Sequence, residues 1–411
     1  MSNQPDDDAG TGRRLPDVPV RKLAEAGPRT AGFWASSLRR AVPFRRPRFP
    51  DIPTRPTTPA MLAGALADEL LLATMSNDRL VPSEEDMERI AAETSEAVDV
   101  LRRHGWLADP AGFHQTPTAP VGERLERKRF GRIRFEELTF DSGFEPVPDM
   151  PGADRWRGMT ANRQAHANVL RHRHGADRPW LVHLHGFSMG VPRDLEAFRA
   201  LHWHRDKGFN VIQPVLPLHG PRRAGKRSGD AFVTLDYLNN VHGMAQAVWD
   251  VRRCIAWARD QGASTVVVHG VSLGAYTAAL LSGLEPGLGG VIAGVPSVDL
   301  AWVMRQHVPK AAQAAVEAHG LFDERADLVH TVVSPLAFEP LVPLDRRFIY
   351  AGVADRMAKP EAAQRLWKHW EEPAICWYGG AHVAFALSRE VRRFVADAVT
   401  AAVVPPNPST M

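Results

Sequence analysis

An α/β fold, a mostly parallel sheet with helices on both faces, is what three features of this 411-residue chain predict. From about residue 133 onward, eight short apolar runs have strand length: Phe135–Phe140, Ala167–Leu170, Trp180–Leu184, Asn210–Val215, Thr265–Val268, Val291–Val295, Phe348–Ala351 and Ile375–Tyr378. Amphipathic stretches of helical period separate them. The clearest is 236–260, where Val241, Met244, Val248, Val251, Ile255 and Ala258 recur at spacings of three and four. Strands alternating with helices in this way make parallel pairs with crossover helices. Ligands on such sheets bind beyond the carboxyl ends of the strands, so the loops there carry the chemistry.

Taken in order, residues 1–59 hold ten of the 33 prolines and no sustained periodicity, which predicts a disordered Pro/Arg-rich leader. Within it, Leu38 to Phe49 mixes arginine with phenylalanine. That mixture suits either weak contact with an anionic membrane surface or a solvated linker, and Pro43 and Pro47 favour the linker because they interrupt any amphipathic helix. Residues 60–130 read as a helical extension. Its first segment, Met61 to Ala73, is apolar but interrupted by Asp68-Glu69, and is too short to span a bilayer. The second has Ser83 as N-cap, acids in the first turn, apolar positions Met87, Ile90, Ala91, Val98 and Leu101, and Gly105 at its end. Residues 131–404 form the α/β domain. An insertion at about 296–340, with a helical run at 310–319, predicts a small cap.

Charge and cysteine content narrow the function classes. Residues 1–60 carry 11 Lys/Arg against 6 Asp/Glu, while the remaining 351 carry 39 against 41. The basic balance therefore belongs to the leader, and the near-neutral body argues against a nucleic-acid-binding face. Two cysteines, Cys254 and Cys376, make neither a disulfide framework nor a zinc site. With Asp6-Asp7-Asp8 at the start and no secretory signal, the expected setting is cytoplasmic, possible contact of the leader with a membrane aside. There is no His-Glu-x-x-His and the 17 histidines are scattered, so no metal or organic cofactor is expected.

Two segments fit Gly-x-Ser-x-Gly: Gly186-Phe187-Ser188-Met189-Gly190 and Gly270-Val271-Ser272-Leu273-Gly274. The pattern serves a tight strand-to-helix turn that presents the serine at the top of a sheet. A helix must follow at once, so that its N-terminal dipole faces developing negative charge. Leu273 to Leu281 is a good helix former, whereas Pro192 would obstruct a helix begun at Ser188. An elbow at Ser188 would also need a His-Gly turn upstream, and 150–180 contains none. Ser272 is therefore the candidate nucleophile.

These residues carry a resemblance. From about 133 to 400, two thirds of the chain, the sequence resembles the α/β-hydrolase superfamily. It has His183-Leu184-His185-Gly186 after an early strand, the elbow at 270–274, an acid after a late strand and His382 near the end. The resemblance implies an eight-stranded, mostly parallel sheet with a small helical cap; a helical N-terminal extension occurs in only some branches. It also implies that the Phe187 and Leu273 backbone N–H groups form the oxyanion hole. His382, in Tyr378-Gly379-Gly380-Ala381-His382, is the general base, ahead of His183, His185, His219 and His307. Asp355 is the acid, 27 residues before His382, with Asp299 as its rival; Asp345 lies at the wrong end of its strand.

The implied activity is carboxylic ester hydrolysis through an acyl-enzyme on a small-molecule or lipid ester. Peptidase, thioesterase and acyltransferase remain alternatives on the same residues. A non-catalytic hydrolase-fold binding protein is the alternative from another class. Cap residues such as Trp302 and loop residues such as His219 and Arg222 are candidate substrate contacts. The loop 217–230, with Arg222, Arg223, Lys226 and Arg227, either holds a carboxylate or phosphate or is merely solvated.

Overall fold

The computed structural model describes residues 51–75, 81–173 and 177–404. Most of the expected leader, Leu38 to Phe49 included, lies outside these residues.

Nine strands form one mixed sheet in the order β1-β2-β3-β5-β4-β6-β7-β8-β9. They are β1 (Arg124–Phe130), β2 (Ile133–Asp141), β3 (Gln164–Leu170), β4 (Arg178–Leu184), β5 (Asn210–Pro214), β6 (Ala263–Val271), β7 (Gly290–Gly294), β8 (Arg347–Gly352) and β9 (Ala374–Tyr378). The first three pair antiparallel, as do β3 and β5; every pair from β5–β4 through β8–β9 is parallel. Each of the eight apolar runs of the sequence falls on a strand, with Val215 and Val295 one residue past the ends of β5 and β7. The ninth strand, β1, corrects the expected count of eight and falls in the stretch read as helical extension. Its sequence, Arg-Leu-Glu-Arg-Lys-Arg-Phe, has no apolar face because almost all of it is exposed at the sheet edge. Charged side chains there also discourage pairing with a further strand.

The central strands are buried on both sides, which is why they read as continuous apolar runs. On β4, Trp180, Val182 and Leu184 point into one core, shared with the helices Glu84–Arg103, Tyr237–Asp260 and Leu273–Ser282. Leu181 points into the other, with Val211, Val267, Ile292 and Phe348 against Val391, Val395 and Val399 of the helix Arg389–Val403.

The N-terminal helices pack on this body. Ser83 caps the Glu84–Arg103 helix by accepting the Asp86 N–H at 3.1 Å. Arg155 grips Glu93 of that helix through two hydrogen bonds of 2.8 and 2.7 Å. The Pro59–Met75 helix lies against the turn that contains His382.

After β4 the chain forms β5 on one side, then crosses back to form β6 on the other. That reversal opens a crevice beyond the carboxyl ends of β4 and β6, the place where open α/β sheets bind ligands.

Candidate active site

Ser272 stands at this crevice. It immediately follows β6 and precedes the helix Leu273–Ser282, with φ 56° and ψ −115°. Positive φ is costly for a residue with a side chain and persists only where the surroundings enforce it. Here the Ser272 N–H donates to Gly294 O at 2.9 Å, and Ser272 O accepts the Tyr276 N–H at 3.0 Å. The flanking glycines are required sterically. A Cβ on Gly270 would lie 2.0 Å from Gly274 O, and one on Gly274 would lie 2.0 Å from Leu184 O.

The second contact brings the elbow against the turn that follows β4. His183 and Leu184 pair with His269 and Gly270, so the two loops leave the sheet side by side. A Cβ placed on Gly186 would be 3.5 Å from Ser272 Cβ. Phe187 follows in that turn, and Leu273 opens the helix, where the first N–H groups have no acceptor within the helix itself. Ser188, the rival nucleophile, is exposed at the turn with φ 64° and no helix immediately behind it. His185 braces the turn from within. Its Nδ1 donates to Gly186 O at 2.9 Å, and its Nε2 accepts the Leu216 N–H at 3.0 Å. That bonding requires a neutral ring, and burial holds its pKa below the ordinary value.

Asp355 follows β8, and His382 follows β9. His382 Nδ1 donates to Asp355 Oδ2 at 2.7 Å, with both side chains buried. Asp355 Oδ1 accepts the Met357 and Ala358 N–H groups, each at 2.8 Å. Because Nδ1 is committed, a neutral His382 carries its lone pair on Nε2. Burial opposes a charge on this imidazole, but the Asp355 charge and hydrogen bond, with the Asp68 charge, outweigh it and raise the pKa. Asp299, the rival acid, is engaged elsewhere. It caps the helix Leu300–His307 through the Trp302 N–H at 2.8 Å and pairs with Arg365 at 2.9 Å.

Asp68 is the residue that sequence reasoning passed over. It sits on the Pro59–Met75 helix, is fully buried, and accepts N–H groups from Arg356, His382 and Val383 at 3.1, 2.8 and 3.2 Å. Burial and the Asp355 charge raise its pKa to about 6, against the opposing pull of His382 and the backbone donors. Its signal in the sequence was an acidic pair inside an otherwise apolar helix.

Ser272 lines a mostly apolar cavity with Leu72, Phe187, Leu300, Val303, Met304 and Met357 among its walls, and no Asp, Glu, Lys or Arg; His307 also lines it, its Nε2 3.1 Å from Met357 O. Three of the anticipated substrate contacts have other work. The Arg222 side chain is fully buried, donating to Val215 O at 2.9 Å, Asn162 O at 2.9 Å and Asp250 Oδ2 at 2.7 Å. An arginine without surface cannot meet substrate, and it anchors the loop after β5 instead. His219, also fully buried, donates through Nδ1 to Pro217 O at 2.9 Å and packs edge-on behind the Phe187 ring. Trp302 lies outside the cavity lining, with the Lys359 ammonium 5.6 Å above its ring. Among the described residues, no group of three or more His, Cys, Asp or Glu side chains could hold a metal ion.

Two proteins of Mycobacterium tuberculosis are close in sequence. Uncharacterized protein MT2702 of strain CDC 1551 is 43% identical over 349 residues, covering 84% of this chain and 83% of its own length. Uncharacterized protein Rv2627c of strain H37Rv matches to the same extent. The chain belongs to their family. No family model matches it. Among solved structures, acetyl xylan esterase 1 from Thermoanaerobacterium superposes with a TM-score of 0.51 at 15% identity, over 73% of this chain and 93% of its own. At that identity the likeness shows the fold, and the fold is that of the α/β-hydrolases.

Proposed function

We propose that the protein is a serine hydrolase that cleaves carboxylic esters with an uncharged, apolar acyl group. One observation carries this reading. A serine held in a strained strand-to-helix elbow opens into an apolar cavity, and the wall of that cavity includes Met357 and Ala358, whose N–H groups Asp355 holds while it orients His382.

The residues take the following parts. Ser272 Oγ attacks the ester carbonyl while His382 Nε2 accepts its proton. Asp355 keeps the ring in that tautomer and stabilises the imidazolium. The Phe187 and Leu273 N–H groups stabilise the oxyanion of the tetrahedral adduct, a role in which loss of one donor costs about 3–4 kcal/mol. Collapse of the adduct breaks the C–O bond, and His382 returns the proton to the departing alcohol. Water, deprotonated by His382, then cleaves the acyl-Ser272 ester and regenerates the serine. The mostly apolar walls suit an acyl chain, with His307 and Ser297 as polar side chains in the lining besides Ser272.

The test is a panel of p-nitrophenyl esters of graded acyl length beside matched thioesters and amides. Wild type is expected to hydrolyse esters and Ser272→Ala to be inactive on all of them. Preference for thioesters or amides would reassign the substrate; a folded wild type inert on every member would overturn the reading.

A further inference from the structure

The Pro59–Met75 helix comes from outside the part of the chain that carries the hydrolase resemblance, yet it reaches the centre of the site. Leu72 forms part of the cavity wall. Met61 and Ala65 form a small core with Ala354, and Glu69 pairs with Arg356 at 2.9 Å. Asp68 occupies the position between these contacts. One of its oxygens, Oδ2, accepts the N–H of Arg356, next to the acid, and the N–H of His382, the base; Oδ1 accepts the N–H of Val383.

We propose that Asp68 is a positioning residue for the Asp355–His382 pair, its carboxylate clamping the loops after β8 and β9 together so that the imidazole is held toward Ser272. The proposal rests on the serine-hydrolase reading above. Burying a carboxylate is expensive unless hydrogen bonds satisfy it, and the helix could dock through its apolar and Glu69 contacts without one. Three backbone donors converging on one group require a group that only accepts, which an ionised carboxylate does and an amide does not. The groups facing Asp68 are Asp355 and Arg356 from the loop after β8, His382 from the loop after β9, Tyr378 at the end of β9, and Glu69 on its own helix. Asp68 therefore adds a second negative charge near the imidazole, alongside Asp355.

Geometry and charge give two separate readouts. A base that swings away from its serine by about 1 Å costs up to about a hundredfold in rate. Loss of the negative charge makes the imidazolium less stable, so the acid limb of the pH profile moves to lower pH.

The experiment measures the rate at which a fluorophosphonate labels Ser272, across the pH range in which histidine titrates, in wild type, Asp68→Asn and Gly64→Val. A Cβ on Gly64 would lie 3.1 Å from Ala381 Cβ, so valine there pushes the helix off the His382 turn while leaving Asp68 in the chain. Asp68→Asn is expected to be labelled about tenfold to a hundredfold more slowly, with its acid limb at lower pH and its circular dichroism unchanged. Gly64→Val is expected to slow labelling likewise. A folded Asp68→Asn with the wild-type rate and limb overturns the proposal. If Asp68→Asn does not fold, a wild-type rate in Gly64→Val overturns it instead. Absence of labelling in wild type is a different failure, that of the serine-hydrolase reading itself.

Discussion

In the proposed mechanism, Ser272, His382 and Asp355 depend on one another through protons. His382 must be neutral to take the Ser272 proton, and its pKa in the fold is raised above the ordinary 6.5 because Asp355 and Asp68 outweigh the effect of burial. The acid limb of kcat/KM is therefore expected above pH 6.5, with activity falling as pH drops through it; initial rates across pH on one ester locate it. The same shift means that the His382 proton stabilises the fold below pH 6.5 and that this contribution is lost as pH rises through the raised value. Asp355→Asn, which reverses the tautomer demanded of Nδ1, is expected to lower kcat by about 10⁴-fold, measured on the preferred ester. At this scale the sequence was informative wherever a residue sat in a turn motif. For Asp68 it offered only an acidic pair in an apolar helix, because a helix residue has no motif to announce that its carboxylate meets two distant loops.

The elbow and the loop after β5 are built so that small changes have large effects. Gly274→Ala would set a methyl group 2.0 Å from Leu184 O, so the elbow and the Phe187 turn must separate. The expected result is a loss of about 3 kcal/mol in denaturant unfolding, together with loss of activity. Arg222→Ala distinguishes a buried anchor from a substrate contact. Asp250 would be left uncompensated in the core, and a loss of about 3–5 kcal/mol is expected, again from denaturant unfolding, with KM little changed in whatever fraction folds. Elements with an apolar pattern were legible: the seven interior strands, the edge strand β9, and the Ser83-capped helix. β1 was not, because an edge strand bathed in solvent needs no apolar face, and its Arg/Lys/Glu sequence reads as part of the helical extension. The basic loop misled for a related reason. Charge density alone does not reveal that Arg222 turns inward to Asp250 while Arg223 and Lys226 stay exposed.

At the scale of the molecule, the sheet gathers the loops of the candidate site beyond the carboxyl ends of its parallel strands. β4 supplies the Phe187 turn, β6 the serine, β8 the acid and β9 the histidine. The helices between β7 and β8 provide Leu300, Val303 and Met304 to the cavity, and the N-terminal helix closes it with Leu72. No helix among the described residues is long and apolar enough to cross a membrane. The central claim is that this architecture activates Ser272 for attack on a carbonyl. It is tested most directly by treating the folded protein with a fluorophosphonate and locating the adduct by peptide mass spectrometry. The account predicts one adduct, on the peptide containing Ser272, retained in Ser188→Ala and absent from Ser272→Ala. A folded protein that takes up no label, or one labelled at Ser188, would contradict it.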